Sequence, residues 1–121
     1  MNNSLLTDKT FFRTAYLLIK SSLDIESLGR IISARIGGGI PFKGLDEYIC
    51  DEIPAIYISN ILGCTLILLG YPGEDGYNLK LREDHFPHAL FQAEGKPPST
   101  IDLSGNLYAC LKDIDDLSVS L

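Results

Sequence analysis

Three stretches of this chain carry residue types that could do chemistry. The first is "RIISARIGGGIPFKG", Arg30 to Gly44, where three glycines and Lys43 suggest a loop that cradles phosphate. The second is "LKLREDHFPH", which gathers Lys80, Arg82, Glu83, His85 and His88. Acid–base cleavage of a phosphodiester needs such a mixture, a proton carrier beside cations that hold the anion. His85 and His88, with Asp84 or Glu83, are also the only histidine-based metal candidate. The third is clustered acid with tyrosine: Asp46, Glu47, Tyr48, Asp51 and Glu52, then Glu74 and Asp75 between Tyr71 and Tyr77. Carboxylates and tyrosine rings together suit an interface with a cationic protein, where the ring gives contact area and the acid gives steering.

Each reading depends on the element that holds it. Phosphate loops precede a helix, so that free N–H groups and the positive end of the dipole face the anion. Here Ile25, Leu28, Ile32 and Ile36 recur at helical spacing before the glycines, with Ile31 beside them. Ser22 or Asp24 is placed to cap this helix, Glu26 lies in its first turn, and Arg30 and Arg35 lie toward its end. Gly37 then falls where a left-handed C-cap is expected, and Pro41 prevents an immediate restart. The spacing before Lys43 is also not that of a Walker loop. The glycines are a stop signal, and no nucleotide is expected there.

The second stretch fares little better. Alternation puts Tyr77, Leu79 and Leu81 inward and Asn78, Lys80 and Arg82 outward, the ordinary arrangement of a half-buried strand. Pro87 disfavours the helix on which two histidines three apart could share a metal. There is no G-x-S-x-G, and no cysteine has cationic neighbours. No catalytic residues, cofactor or metal are therefore expected. A small RNase-like enzyme or ligand-binding domain using Lys80 to His88 remains the alternative.

Around these stretches the chain reads as one domain spanning residues 1–121. "TFFRTAYLLIK" is a buried strand, and "LDEYICDEI" a weak strand or loop. "AIYISNI", "CTLILLGY" and "YNLKLRED" form a meander, with "PGEDG" as a strong turn. Leu103, Leu107, Cys110, Leu111 and Ile114 return to helical spacing, with Thr100 or Ser104 as cap and Gly105 as a weak point. Leu117, Val119 and Leu121 alternate as a short final strand. The fold class is α+β: an antiparallel meander with two helices packed against it.

Composition narrows the partners. Hydrophobic residues make up 45% of the chain, enough for a core, and the net charge is −6. That charge disfavours nucleic acid and anionic membranes, both of which need a positive field. Cys50, Cys64 and Cys110 are widely separated and flanked by apolar residues, so buried free thiols in a reducing compartment are expected. "MNNSLLTDKTFF" has no basic region followed by a long apolar run, which makes a cytoplasmic protein the default.

The order of elements resembles the small immunity proteins of contact-dependent growth inhibition and related polymorphic toxin systems. The resemblance is carried by "FFRTAYLLIK", "SSLDIESLGRIISARIG", "AIYISNILGCTLILLGYPGEDGYNLKL" and "IDLSGNLYACLKDIDDLSVSL". It implies a non-catalytic bacterial inhibitor that binds the toxin domain of a secreted effector, often a nuclease, in a 1:1 complex. No residue can be carried over by motif. The expected partner face is therefore Asp46, Glu47, Tyr48, Asp51, Glu52, Glu74, Asp75 and Tyr77, read from charge and aromatics alone. Asp24 and Glu26, or Asp113, Asp115 and Asp116, could serve the same purpose.

Overall fold

A computed structural model describes residues 11–44, 53–84 and 99–121. The first strand, β1 (Phe11–Lys20), is the axis of the molecule, because three other strands pair with it. Helix α1 (Ile25–Ile36) follows, then β2 (Ala55–Ile61), β3 (Cys64–Gly70) and β4 (Tyr77–Glu83). The C-terminal part adds β5 (Ser99–Asp102), helix α2 (Ser104–Leu111) and β6 (Ser118–Ser120). The sheet runs β2-β3-β4-β1-β5, with β6 also on β1. Every described pairing is antiparallel except β1 with β5. The α+β class and the meander are as the sequence leads one to expect.

Alternation decides which side of the sheet is covered. Leu17 and Ile19 of β1, Leu66 and Leu68 of β3 and Tyr77 and Leu79 of β4 point to one side. There they pack with Ile25, Leu28 and Ile32 of α1 and Leu111 of α2. Burying a leucine- or isoleucine-sized side chain stabilises by roughly 1.5–3 kcal/mol, so this layer is the main source of cohesion. Gly29 lets α1 come close, since a Cβ there would lie 2.7 Å from Ile56 Cδ1. On the other side Ala55, Ile67 and Leu69 form a second cluster with Tyr57, to which no described helix contributes.

Asp24 caps α1 as expected, accepting from the Ser27 N–H at 2.7 Å. Gly37 is the C-cap as expected, but the left-handed residue falls one position later. Gly37 has φ −100°, not a left-handed value, and Gly38 takes that role with φ 65°. Gly37 is instead a point of close approach, because a Cβ there would lie 3.1 Å from Ser33 Cα and 3.3 Å from Ile58 Cδ1. The Ser33 carbonyl accepts from both Gly37 and Gly39, each at 2.9 Å, while its hydroxyl donates to the Ile40 carbonyl. The glycines therefore close the helix onto its own last turn.

The C-terminal part departs further from expectation. Thr100 does not cap a helix; it lies in β5, parallel to the first half of β1. β6 pairs antiparallel with Leu18 to Lys20. Between the two, the Ser104 hydroxyl accepts from the Tyr16 N–H at 2.8 Å and donates to Asp102 at 2.6 Å. That side chain fills the gap in the ladder, so the strand edge is not left unpaired there. Helix α2 is short, and only Leu111 on it is buried. Arg35 of α1 donates to the Cys110 carbonyl at 3.0 Å, a cation at the negative end of α2. Among the described residues no helix is long and apolar enough to cross a membrane.

Candidate partner-binding surfaces

Topology collects carboxylates at one end of the sheet. β1 leaves the sheet there after Lys20, and the Ser21 carbonyl accepts from Gly73 at 2.8 Å. That bond ties down the turn carrying Glu74 and Asp75. Asp24 follows Ser21 within three residues, and the Tyr77 hydroxyl donates to the Leu23 carbonyl at 2.7 Å, fixing this link to β4. Because β6 is antiparallel to β1, its first residue Ser118 pairs with Lys20, which brings Asp115 and Asp116 to the same end. β2 also starts there, since Gly70 N–H donates to the Pro54 carbonyl at 3.1 Å. Asp24, Glu74, Asp75, Asp115 and Asp116 are all exposed. Ile53 and Tyr71 stand among them with 42% and 43% of their surface open. The result is an acidic pole with apolar and aromatic contact area.

The Ser27 backbone and hydroxyl hold the Asp24 carboxyl below the usual carboxylate range, so it is ionised at neutral pH. Lys20 lies at the same end and Arg30 acts on Asp24, but the carboxylates outnumber them, and an excess of one sign at one end of a molecule attracts the opposite charge before contact.

Of the partner residues expected from sequence, Glu74 and Asp75 lie at this pole. Asp46, Glu47, Tyr48, Asp51 and Glu52 lie outside the described residues. Tyr77 is a correction. It is fully enclosed in the core, and burial pushes its phenol up. Alternation along β4 overrides its place beside the acidic turn, so it cannot present its ring to a partner. What sequence reasoning missed was the grouping. Asp24, and Asp115 with Asp116, were expected there as separate alternatives to the Glu74 and Asp75 turn rather than as one face with it, and Tyr71 only as a neighbour of the turn.

The segment of the catalytic alternative, Lys80 to His88, is described only as far as Asp84. Lys80 and Arg82 project from the sheet side away from the helices, paired across β1 with Tyr16 and Thr14. Glu83 faces the other way, where its carboxylate accepts from Arg13 Nε at 2.6 Å, Arg13 Nη2 at 3.2 Å and the Arg13 N–H at 3.0 Å. Arg13 holds the Glu83 carboxyl below the usual range. The same guanidinium donates to the Leu62 carbonyl at 2.6 Å, bracing the β2–β3 turn, where Leu62 and Gly63 have φ 51° and 82°. Both histidines lie outside the described residues. Among the described residues no group of His, Cys, Asp and Glu could hold a metal ion.

The cysteines divide. Cys64 is buried, and burial pushes its thiol up, away from nucleophilic use at neutral pH. Cys110 is exposed, contrary to expectation, because α2 turns it outward. Cys50 lies outside the described residues. A cleft of about 750 Å³ flanks α1 and the glycine segment, with Arg30, Lys43 and Glu26 on its walls. Lys43 Nζ sits 5.5 Å from the Tyr57 ring centroid. The cleft runs along the flank of α1 from Glu26 and Arg30 to Ser33 and Ala34 and on to the glycine segment, with the Glu26 carboxylate against an anion. No protein-family model, curated protein or solved structure matches this chain.

Proposed function

We propose that this protein is a non-catalytic immunity protein that binds and neutralises a cognate toxin in the cytoplasm of the cell that makes both. The partner is a basic, nuclease-type toxin domain of a contact-dependent growth inhibition effector, held 1:1. The acidic pole carries the proposal: Asp24, Glu74, Asp75, Asp115 and Asp116 around Ile53 and Tyr71. A nuclease must keep a cationic surface for its phosphate substrate, and a preformed carboxylate array competes for it. Exposed Tyr71 and Ile53 at the same end add the desolvated contact that slows dissociation. The resemblance in element order points the same way.

The test is protection. Cells expressing the toxin domain encoded beside this protein should grow when the wild-type protein is co-expressed. They should stop growing when Glu74, Asp75, Asp115 and Asp116 are all changed to lysine in a protein that still melts normally. Full protection by the reversed protein would remove the pole from the mechanism. Failure of the wild type to protect would remove the immunity reading itself.

A further inference from the structure

A second surface has the opposite charge. Tyr16, Lys80, Ile67, Tyr57 and Lys43 stand side by side across the sheet: Tyr16 pairs with Lys80, Lys80 with Ile67, Ile67 with Tyr57, and Tyr57 with Lys43. Directly paired residues point to the same side, and this is the side to which no described helix contributes. Each lysine is held over a ring: Lys80 Nζ lies 5.9 Å from the Tyr16 centroid, and Lys43 Nζ lies 5.5 Å from that of Tyr57. Arg82 extends the strip in the next row, opposite Thr14.

On the β4–β1 half the strip is open. Lys80 and Arg82 are exposed, and Tyr16 has 49% of its surface free. A groove of about 460 Å³ runs here, floored by Ile67 and Leu69 and walled by Tyr16, Lys80 and Arg82. Two carboxylates of this side flank the Arg82 end of the strip: Asp102 follows Thr14 across the same row, and Asp84 is the next outward residue beyond Arg82. Asp84 is bonded to Thr65, and Asp102 is bonded to Ser104 at the sheet edge. The row from Tyr16 to Lys43 itself contains no carboxylate, so its charge is set by Lys80 and Lys43.

We propose that this strip docks an acidic, extended segment of a protein, with its carboxylates on Lys80, Arg82 and Lys43 and an apolar side chain in the groove over Ile67. The Tyr16 hydroxyl donates to Asn78 at 2.7 Å, which anchors the ring as one wall of that groove. Single-stranded nucleic acid also stacks on aromatic and cationic platforms. The protein's net negative charge repels a long polyanion while tolerating a short acidic segment, so the protein ligand is favoured. This inference is independent of the toxin reading, since it concerns a different face and a partner of opposite charge.

The test uses synthetic probes. Fluorescein-labelled peptides of alternating glutamate and leucine, or alternating lysine and leucine, and a labelled oligo-dT are titrated with the full chain, and anisotropy is read at low and moderate salt. The glutamate–leucine peptide should bind and the lysine–leucine peptide should not bind at this face. The double change Lys80→Glu and Arg82→Glu should weaken the glutamate–leucine peptide at least about tenfold, roughly what the loss of two charge-assisted contacts implies. Lys80→Gln with Arg82→Gln, milder for folding, should weaken it in the same direction. Neutralising the acidic pole with Asp115→Asn and Asp116→Asn should not weaken it. Absence of binding, equal binding by the substituted proteins, tighter binding of oligo-dT, or a signal that only tracks self-association of the chain would each overturn the proposal.

Discussion

Tyr77 separates the core from the binding surface, and Tyr77→Phe measures that division. The phenol is fully buried, and its hydroxyl donates to the Leu23 carbonyl at 2.7 Å, joining β4 to the segment between β1 and α1. Removing the oxygen keeps the ring packing and leaves that carbonyl without this partner. The expected loss is about 1 kcal/mol, the usual net value of one such bond. For a domain of this size that lowers Tm by about 4 °C. Tyr77→Ala also empties the ring's volume and should cost about 3–5 kcal/mol. Urea and thermal unfolding give both numbers. Toxin association measured on the Phe variant, below its melting range, should match wild type. An unchanged melt together with weakened binding would refute the reasoning, because the ring would then have to reach the partner.

Other substitutions probe the remaining links. Gly37→Val should destabilise by about 1–2 kcal/mol through crowding against Ser33 and Ile58, and added ATP or GTP should not restore the loss; a nucleotide-dependent rise in Tm would reopen the phosphate reading. Glu83→Gln should cost about 1 kcal/mol at neutral pH, discounted for the partial exposure of the pair. The Glu83 carboxyl is depressed in the folded state, so its contribution is present above the ordinary value of 4.5 and lost as pH falls through the folded value. The difference between wild type and Glu83→Gln in urea melts should therefore shrink under acid, and a gap that widened would contradict the sign. A thiol reagent applied to the native protein should modify Cys110 and spare Cys64 until unfolding, as read by mass spectrometry.

Sequence pattern reached the elements whose character is local. The aromatic and aliphatic run of β1, the three-and-four spacing of α1 and the alternation of β4 each carry their own period. Asp24 is legible as a cap because capping needs only the next three residues. β5 is different. Four residues, Ser99 to Asp102, become a strand only because the first half of β1 offers a free edge, and a parallel partner leaves no trace in the segment itself. Apolar neighbours made Cys110 look buried, but α2 turns Leu107, Tyr108 and Leu111 to the core and leaves Cys110 exposed. The position of the left-handed residue slipped from Gly37 to Gly38 because three consecutive glycines give the sequence no way to choose among them.

The acidic pole could not be read from spacing. Asp24, Glu74 and Asp116 are distant in sequence, and they converge only through the Ser21–Gly73 bond and the antiparallel docking of β6. The cationic strip likewise needs the register that aligns Tyr16, Lys80, Ile67, Tyr57 and Lys43 across the sheet. Tyr77 was legible in two incompatible ways, as an inward strand residue and as a tyrosine beside acid. The strand period is the stronger constraint, because reversing it would bury Asn78 and Lys80 instead.

The central claim is that the acidic pole captures a basic toxin, and association kinetics test it most directly. Any basic toxin domain found encoded beside this protein is mixed with wild type and with the pole carrying lysine at Glu74, Asp75, Asp115 and Asp116, and the association rate is followed from low to moderate salt. Wild type should form a tight 1:1 complex whose association slows steeply as salt is added, by tenfold or more across the range, while the reversed protein associates slowly with little salt dependence. Equal rates and equal salt slopes for the two proteins would contradict the account.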